Sequence, residues 1–237
     1  MTILHVSNLR FNRTWYRWLL EKAPPHDLLA IAGNLVDPRA PIPLCEQRDW
    51  VLAWLHEYAR PTCIASGPED RTDDPYTNPW RSAPRRGNSA ARVCVDDGFV
   101  EHDGFAIHCI GHGEMPFDRH ADIWIAYRDP RVGRPGREDD DRGGYDDSIS
   151  ISNASAAPII LTGDTMDRLH WQTYSRGTLH LNPGWLPFAP FPNHILLDPV
   201  SLACRRVSAS GYIPKVEVFG PVDRSVTDIE DSVPTGS

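Results

Sequence analysis

Five short stretches carry the residues best suited to chemistry: Ser7-Asn8-Leu9-Arg10, Gly33-Asn34-Leu35-Val36-Asp37, Gly67-Pro68-Glu69-Asp70, Gly163-Asp164-Thr165-Met166 and Asn182-Pro183-Gly184. They supply carboxylates at Asp37, Glu69, Asp70 and Asp164, amides at Asn8, Asn34 and Asn182, and one guanidinium at Arg10. Carboxylates that converge could hold a hard divalent cation through their oxygens. Arg10 could hold a small anion, or bridge two carboxylates, because its planar fork donates hydrogen bonds in pairs. The thioether of Met166 suits soft ions such as Cu(I) rather than Mg, Mn or Zn.

Each stretch sits at the end of an apolar run of strand length: 3–7, 28–32, 62–66, 158–162 and 178–181. In an open α/β sheet the carboxyl ends of the strands are where loops converge and ligands bind. A strand closed by a glycine turn, with a polar residue next, is a rigid mount for such a residue. Two helices should stand between these strands. One covers 13–23, with Trp15, Trp18, Leu19 and Lys22 at spacings of three and four, and Pro24-Pro25 stops it. The other covers 46–59, where Trp50, Trp54 and Leu55 form an apolar stripe that reads as core.

The middle of the chain changes character. Residues 92–95, 99–101 and 105–110 alternate and carry Asp97-Gly98 and Asp103-Gly104 turns, which predict antiparallel hairpins. A strand is expected at 123–127 and a closing hairpin from 194–197 and 202–205. Residues 71–88 read as a long polar loop. Residues 128–157, with a basic half and an acidic half, read as a loop that is mobile or ordered by a partner. Parallel units followed by hairpins predict an α/β fold of two stacked mixed sheets flanked by helices, a four-layer αββα sandwich. The domain is expected to span 1–210, with 211–237 a C-terminal extension, partly disordered.

Composition narrows the function classes. The 237 residues are 41% hydrophobic with eight tryptophans, enough for a sizeable core. A net charge of −8 argues against non-specific nucleic-acid binding. There is no run of membrane-spanning length, and the apolar Ile3-Leu4 pair directly after Met1-Thr2 predicts no signal peptide. Cys45, Cys63, Cys94, Cys109 and Cys204 form no CxxC pair and read as reduced, partly buried thiols of a cytoplasmic protein. His108-Cys109-x-x-His112 has a zinc-like spacing, but neighbours on a strand face opposite ways, so His108 reads as structural.

Taken in order, the five stretches resemble the calcineurin-like metallophosphoesterases across roughly residues 1–205. The family pattern is D-x-H, G-D-x-x-D, G-N-H-[DE], a lone His after a strand, and G-H-x-H. It implies two bridged metal ions that activate water against a phosphoester. The turn glycines Gly33, Gly67, Gly163 and Gly184 match, as do Asp37 and Asp70, which in the family mostly brace loops. The liganding types do not match: Asn8, Arg10, Asn34, Pro68, Glu69, Tyr127, Asp164 and Met166 stand at the degenerate positions. Two Asp-to-Asn exchanges remove the anionic oxygens hard ions need, and Arg10 places a permanent cation where a metal would sit.

The resemblance therefore implies a pseudoenzyme, a binding or scaffold protein without metal or catalytic residues, whose partner is a protein or a small anionic ligand. The alternative is a divergent metal-dependent phosphoesterase using Mn or Mg at an altered site. In the vacated crevice Arg10, Glu69 and Asp164 are the expected binding residues, with Arg10 ion-paired to Glu69, Asp164 or both.

Overall fold

The computed structural model describes residues 1–70, 80, 93–112, 120–128, 158–163, 171–175, 177–210 and 213–220. The expected loop at 71–88 (save Trp80), the loop at 129–157 and the segment after 220 lie outside the described residues.

Strands β1 (Ile3–Ser7), β2 (Leu28–Ala32), β3 (Thr62–Ala65) and β4 (Val93–Cys94) run parallel and side by side. Helix α1 (Arg13–Glu21) connects β1 to β2, and α2 (Leu44–Glu57) connects β2 to β3. On the other side of β1 the sheet continues antiparallel through β11 (His194–Leu197), β12 (Cys204–Ser210) and β13 (Ile213–Phe219). The second sheet has six strands in the order β5 (Phe99–His102), β6 (Phe105–Ile110), β7 (Ile123–Ala126), β8 (Ile159–Leu161), β10 (Thr178–Leu181) and β9 (Gln172–Ser175). Both sheets are mixed, as the sequence predicts.

The central strands are apolar at every position because both of their faces are buried. On β2, Leu28, Ala30 and Ala32 face the second sheet and meet Ile107, Ile123, Ile125, Ile159 and Leu161. Leu29 and Ile31, one residue out of phase, face the helices and join Trp15, Leu19, Val51, Trp54 and Leu55. Each such large side chain contributes about 1.5–3 kcal/mol on burial. The tryptophans are core, and their polar edges are satisfied: Trp15 Nε1 donates to Ala189 O at 2.8 Å and Trp54 Nε1 to Tyr16 O at 3.0 Å. Among the described residues no helix covers the outer face of the six-stranded sheet, where Ile110, Trp124 and Ile160 pack together.

The structure departs from the sequence reading in the middle. Of the stretch 92–95, the described residues 93–95 form no hairpin with β5; instead β4 joins β3 in parallel, register-matched at Thr62–Val93 and Cys63–Cys94. At the Asp97-Gly98 turn, Gly98 N donates to Val95 O at 2.7 Å and Asp97 N to Cys109 O at 2.9 Å, which carries the chain from one sheet to the other. Turn chemistry marks a reversal without fixing which strands pair across it. The Asp103-Gly104 turn, with φ of 48° and 81°, does close the β5–β6 hairpin. Strand β9 has no counterpart in the sequence reading, and β13, inside the stretch read as an extension, is bonded along the length of β12.

Candidate functional site

The loops after β1, β2 and β3 meet the start of the loop after β8 at one edge of the stacked sheets. Directly after β1 the backbone enters the left-handed region at Asn8 (φ 49°), Arg10 (φ 43°) and Phe11 (φ 52°). It is held there by the neighbouring loop: Arg10 N donates to Asn34 O at 3.0 Å and Phe11 N to Leu35 O at 2.7 Å. Gly33 has φ of 100°, and a Cβ there would meet Asn8 Oδ1 at 2.8 Å and the Tyr127 ring at 3.1 Å. Glycine is required on both counts. At Gly67 a Cβ would collide with the Asn34 side chain, so the third loop also approaches at backbone contact.

The two asparagines form a chain of amide hydrogen bonds through four loops. Asn8 Nδ2 donates to Gly163 O after β8. Asn8 Oδ1 accepts from Asn34 Nδ2 at 3.1 Å, and Asn34 Oδ1 accepts from Glu69 N at 2.9 Å. Both residues are buried, so each bond replaces water that the amide would otherwise need.

Above this chain lies the ion pair expected from the sequence. Arg10 Nη2 is 3.0 Å from Glu69 Oε1, with both side chains 18% exposed. The guanidinium also sits 4.6 Å from the ring centroid of Trp185, a cation–π contact. Arg10 Nε and Glu69 Oε2 are buried and have no hydrogen-bond partner among the described residues. Asp164 and Met166 lie outside the described residues, and with them the Asp164 arm of the expected pair.

The matching aspartates brace loops. Asp70 Oδ1 accepts from Leu35 N at 2.7 Å and Val36 N at 3.1 Å, and its Oδ2 from Gly67 N at 2.9 Å. Burial nevertheless pushes its carboxyl up to about 7, with Asp96 adding to the rise. Asp37 turns away and caps Arg39 N at 2.9 Å, while Gln47 of α2 grips its backbone. Pro68 is exposed at the start of a single 3₁₀ turn, Pro68–Asp70. Tyr127 does reach the site: its ring lies against Gly33 and stacks on His112, centroids 5.5 Å apart.

Three residues of the site escape the sequence reading. Trp185 follows Gly184, and its only signal is an aromatic directly after a turn glycine. His112 belongs to the zinc-like spacing that strand geometry rejects. Asp96 accepts from Ser66 N at 2.7 Å and also bonds the Ser66 hydroxyl, bracing the end of β3. Beneath the crevice His5 is fully buried, its Nε2 2.9 Å from Thr162 O, and burial pushes it down to about 4.

No protein-family model matches the sequence, and no curated protein matches it either. Solved structures do. The crystal structure of TT1561 of Thermus thermophilus aligns over 92% of this chain and 98% of its own, with TM-score 0.55 and 15% identity. An archaeal phosphodiesterase aligns over 92% of this chain and 100% of its own, with TM-score 0.46 and 12% identity. A Vps29 double mutant from Entamoeba histolytica aligns over 93% of this chain and 99% of its own, with TM-score 0.47 and 13% identity. Two mixed sheets of seven and six strands, α1 and α2 packed on the first, and a loop cluster at the strand tips agree with the likeness to TT1561. The chain has the calcineurin-like metallophosphoesterase fold.

Proposed function

We propose that this protein is a non-catalytic member of that fold, a binding or scaffold protein whose strand-tip crevice is held by side chains instead of metal ions. The observation that supports this best is the Arg10–Glu69 pair standing over the Asn8–Asn34 amide chain. The fold family implies a pair of divalent ions at this place, and the residues present do not fit them. Amide oxygens of Asn8 and Asn34 already accept protein N–H bonds, and a guanidinium with no lone pair to offer lies beside them. Asp70 spends both oxygens on backbone N–H groups, and Glu69 faces Arg10. No step of hydrolysis is therefore routed through a metal here.

The occupant is a protein partner or a small anion; the Trp185–Arg10 face suits either, since it is apolar in body and cationic at the tip. Among the described residues no helix is long and apolar enough to cross a membrane.

Purified protein is expected to hydrolyse generic phosphomonoesters and phosphodiesters no faster than a blank, with Mn or Mg added. A metal-dependent rate that vanishes in Glu69→Gln or Asp164→Asn would restore the divergent-hydrolase reading.

A further inference from the structure

Away from the crevice, between the sheets, three cysteines come together that the sequence keeps far apart. Cys63 on β3 and Cys94 on β4 are register partners, so their side chains leave the same face of the seven-stranded sheet. Cys109 on β6 approaches from the facing sheet. Their three Sγ atoms all lie within 4.8 Å of one another, and all three residues are buried. Cys109 Sγ is 3.7 Å from Cys94 Sγ. Four ligands set tetrahedrally around zinc, with Zn–S near 2.3 Å, stand roughly 3.8 Å apart edge to edge. The Cys94–Cys109 pair is thus spaced as a zinc site spaces two ligands, the other pairs lie within 4.8 Å, and a disulfide would need the two sulfurs far closer.

One further observation points the same way. A cavity of about 40 Å³ opens beside Cys63 and Cys94, near the amino-terminal ends of β2 and β3. It has room for an ion and a water, since one water needs roughly 10–15 Å³. His102, at the end of β5, lines the far end of that cavity: it pairs with Phe105, four residues along β6 from Cys109, and does not belong to the sulfur cluster. Three clustered sulfurs and a cavity beside two of them are the donor set of a Cys₃-water centre.

We propose that Cys63, Cys94 and Cys109 bind one Zn²⁺ between the two sheets, with the fourth position filled from the cavity by a water. Binding forms three Zn–S bonds and releases the three thiol protons; no electrons move. The neighbouring Cys63 and Cys94 thiols, and then burial, hold the Cys109 thiol well above its ordinary value. In the metal-free chain it is therefore a packed, unreactive thiol and a poor nucleophile. A thiolate centre here would cross-link β3 and β4 to β6. It is independent of the strand-tip reading, which concerns other residues and oxygen or nitrogen donors.

The full chain, reduced and stripped of metal, is titrated with Co²⁺ as a spectroscopic probe and then with Zn²⁺. Expected is one Co²⁺ per chain with sulfur-to-cobalt charge-transfer absorption and tetrahedral d–d bands, bleached by one equivalent of Zn²⁺. Cys45→Ser should leave the signal intact, and Cys63→Ser or Cys109→Ser should abolish it. The wild-type titration needs no variant, so a poorly folding mutant does not decide the matter. Cobalt bound without the charge-transfer band, a signal that survives Cys63→Ser, or a Cys94–Cys109 disulfide forming in the presence of Zn²⁺ would each overturn the proposal.

Discussion

The strand-tip crevice and the inter-sheet thiol cluster place similar numbers of potential ligands within reach of one another, yet they are built on opposite terms. In the crevice the would-be metal ligands are bonded to protein groups: amide to amide, Asp70 to backbone N–H, and one oxygen of Glu69 to the Arg10 guanidinium, which also lies against Trp185. Between the sheets, three Sγ atoms cluster in apolar surroundings. Capacity for a metal ion remains only in the second. Carboxylates and amides that bond protein N–H groups hold loops together; thiols that meet only in weak S–H contacts can exchange their protons for a metal.

The severest challenge to this contrast is to spoil the self-satisfied set. Asn34→Asp removes the donor to Asn8 Oδ1 and sets a buried carboxylate against that oxygen. A loss of about 3 kcal/mol or more is expected in urea unfolding at pH 7; a loss under about 1 kcal/mol would mean that the amide chain does not hold the loops.

Acid acts on the first sheet and the loops at its edge, where buried groups pull in opposite directions. His5 and His194 are pushed down by burial to about 4, so the unfolded chain takes up protons that the folded chain refuses. Stability from them is complete above about 6.5 and is lost as pH falls through about 4. Asp70, pushed up to about 7, behaves inversely: its contribution is complete at low pH and fades as pH rises through 7. From pH 6.5 to 4.5 the two histidines together cost about 4 kcal/mol and Asp70 returns about 2. Unfolding measured at both pH values should fall by about 2 kcal/mol in the wild type from these groups. In Asp70→Asn the fall should be about twice as large.

Arg10→Ala should act more gently. The pair is only 18% exposed on each side, so removing the guanidinium leaves Glu69 partly desolvated and Trp185 uncovered. A cost of about 2 kcal/mol is expected, between that of an open surface pair and a fully buried one. No measurable change in thermal or urea unfolding would show that the pair decorates the crevice without bracing it.

Much of this is legible in the sequence, for physical reasons. Strands buried on both faces read as unbroken apolar runs, so β1, β2 and β3 stand out, and the turn glycines after them mark the crevice. Arg10 and Glu69 can be placed together because the family that the motifs resemble brings these two loops to one metal site; in the sheet, β1 and β3 flank β2 and their loops leave the same edge. Contact across sheets does not read. Cys63, Cys94 and Cys109 share no spacing pattern, because the register of β3 with β4 and the stacking of β6 on both bring them together. Strand β13 escapes for a related reason. An edge strand exposes much of its length, as Val216 at 53% and Val218 at 74% do, and its pattern resembles a polar tail.

The left-handed backbone at Asn8, Arg10 and Phe11 has a consequence for motion. Asparagine accepts that conformation readily, whereas Arg10 and Phe11 each give up about 1 kcal/mol or more to hold it. Strand β1 behind them is unstrained and buried on both faces, so the chain changes from rigid to spring-loaded at Ser7. Local opening of this loop would release Arg10 N from Asn34 O and Phe11 N from Leu35 O, and would return the strain held at Arg10 and Phe11. An occupant that grips Arg10 would damp that opening, and binding would register as a quieter loop instead of a new shape.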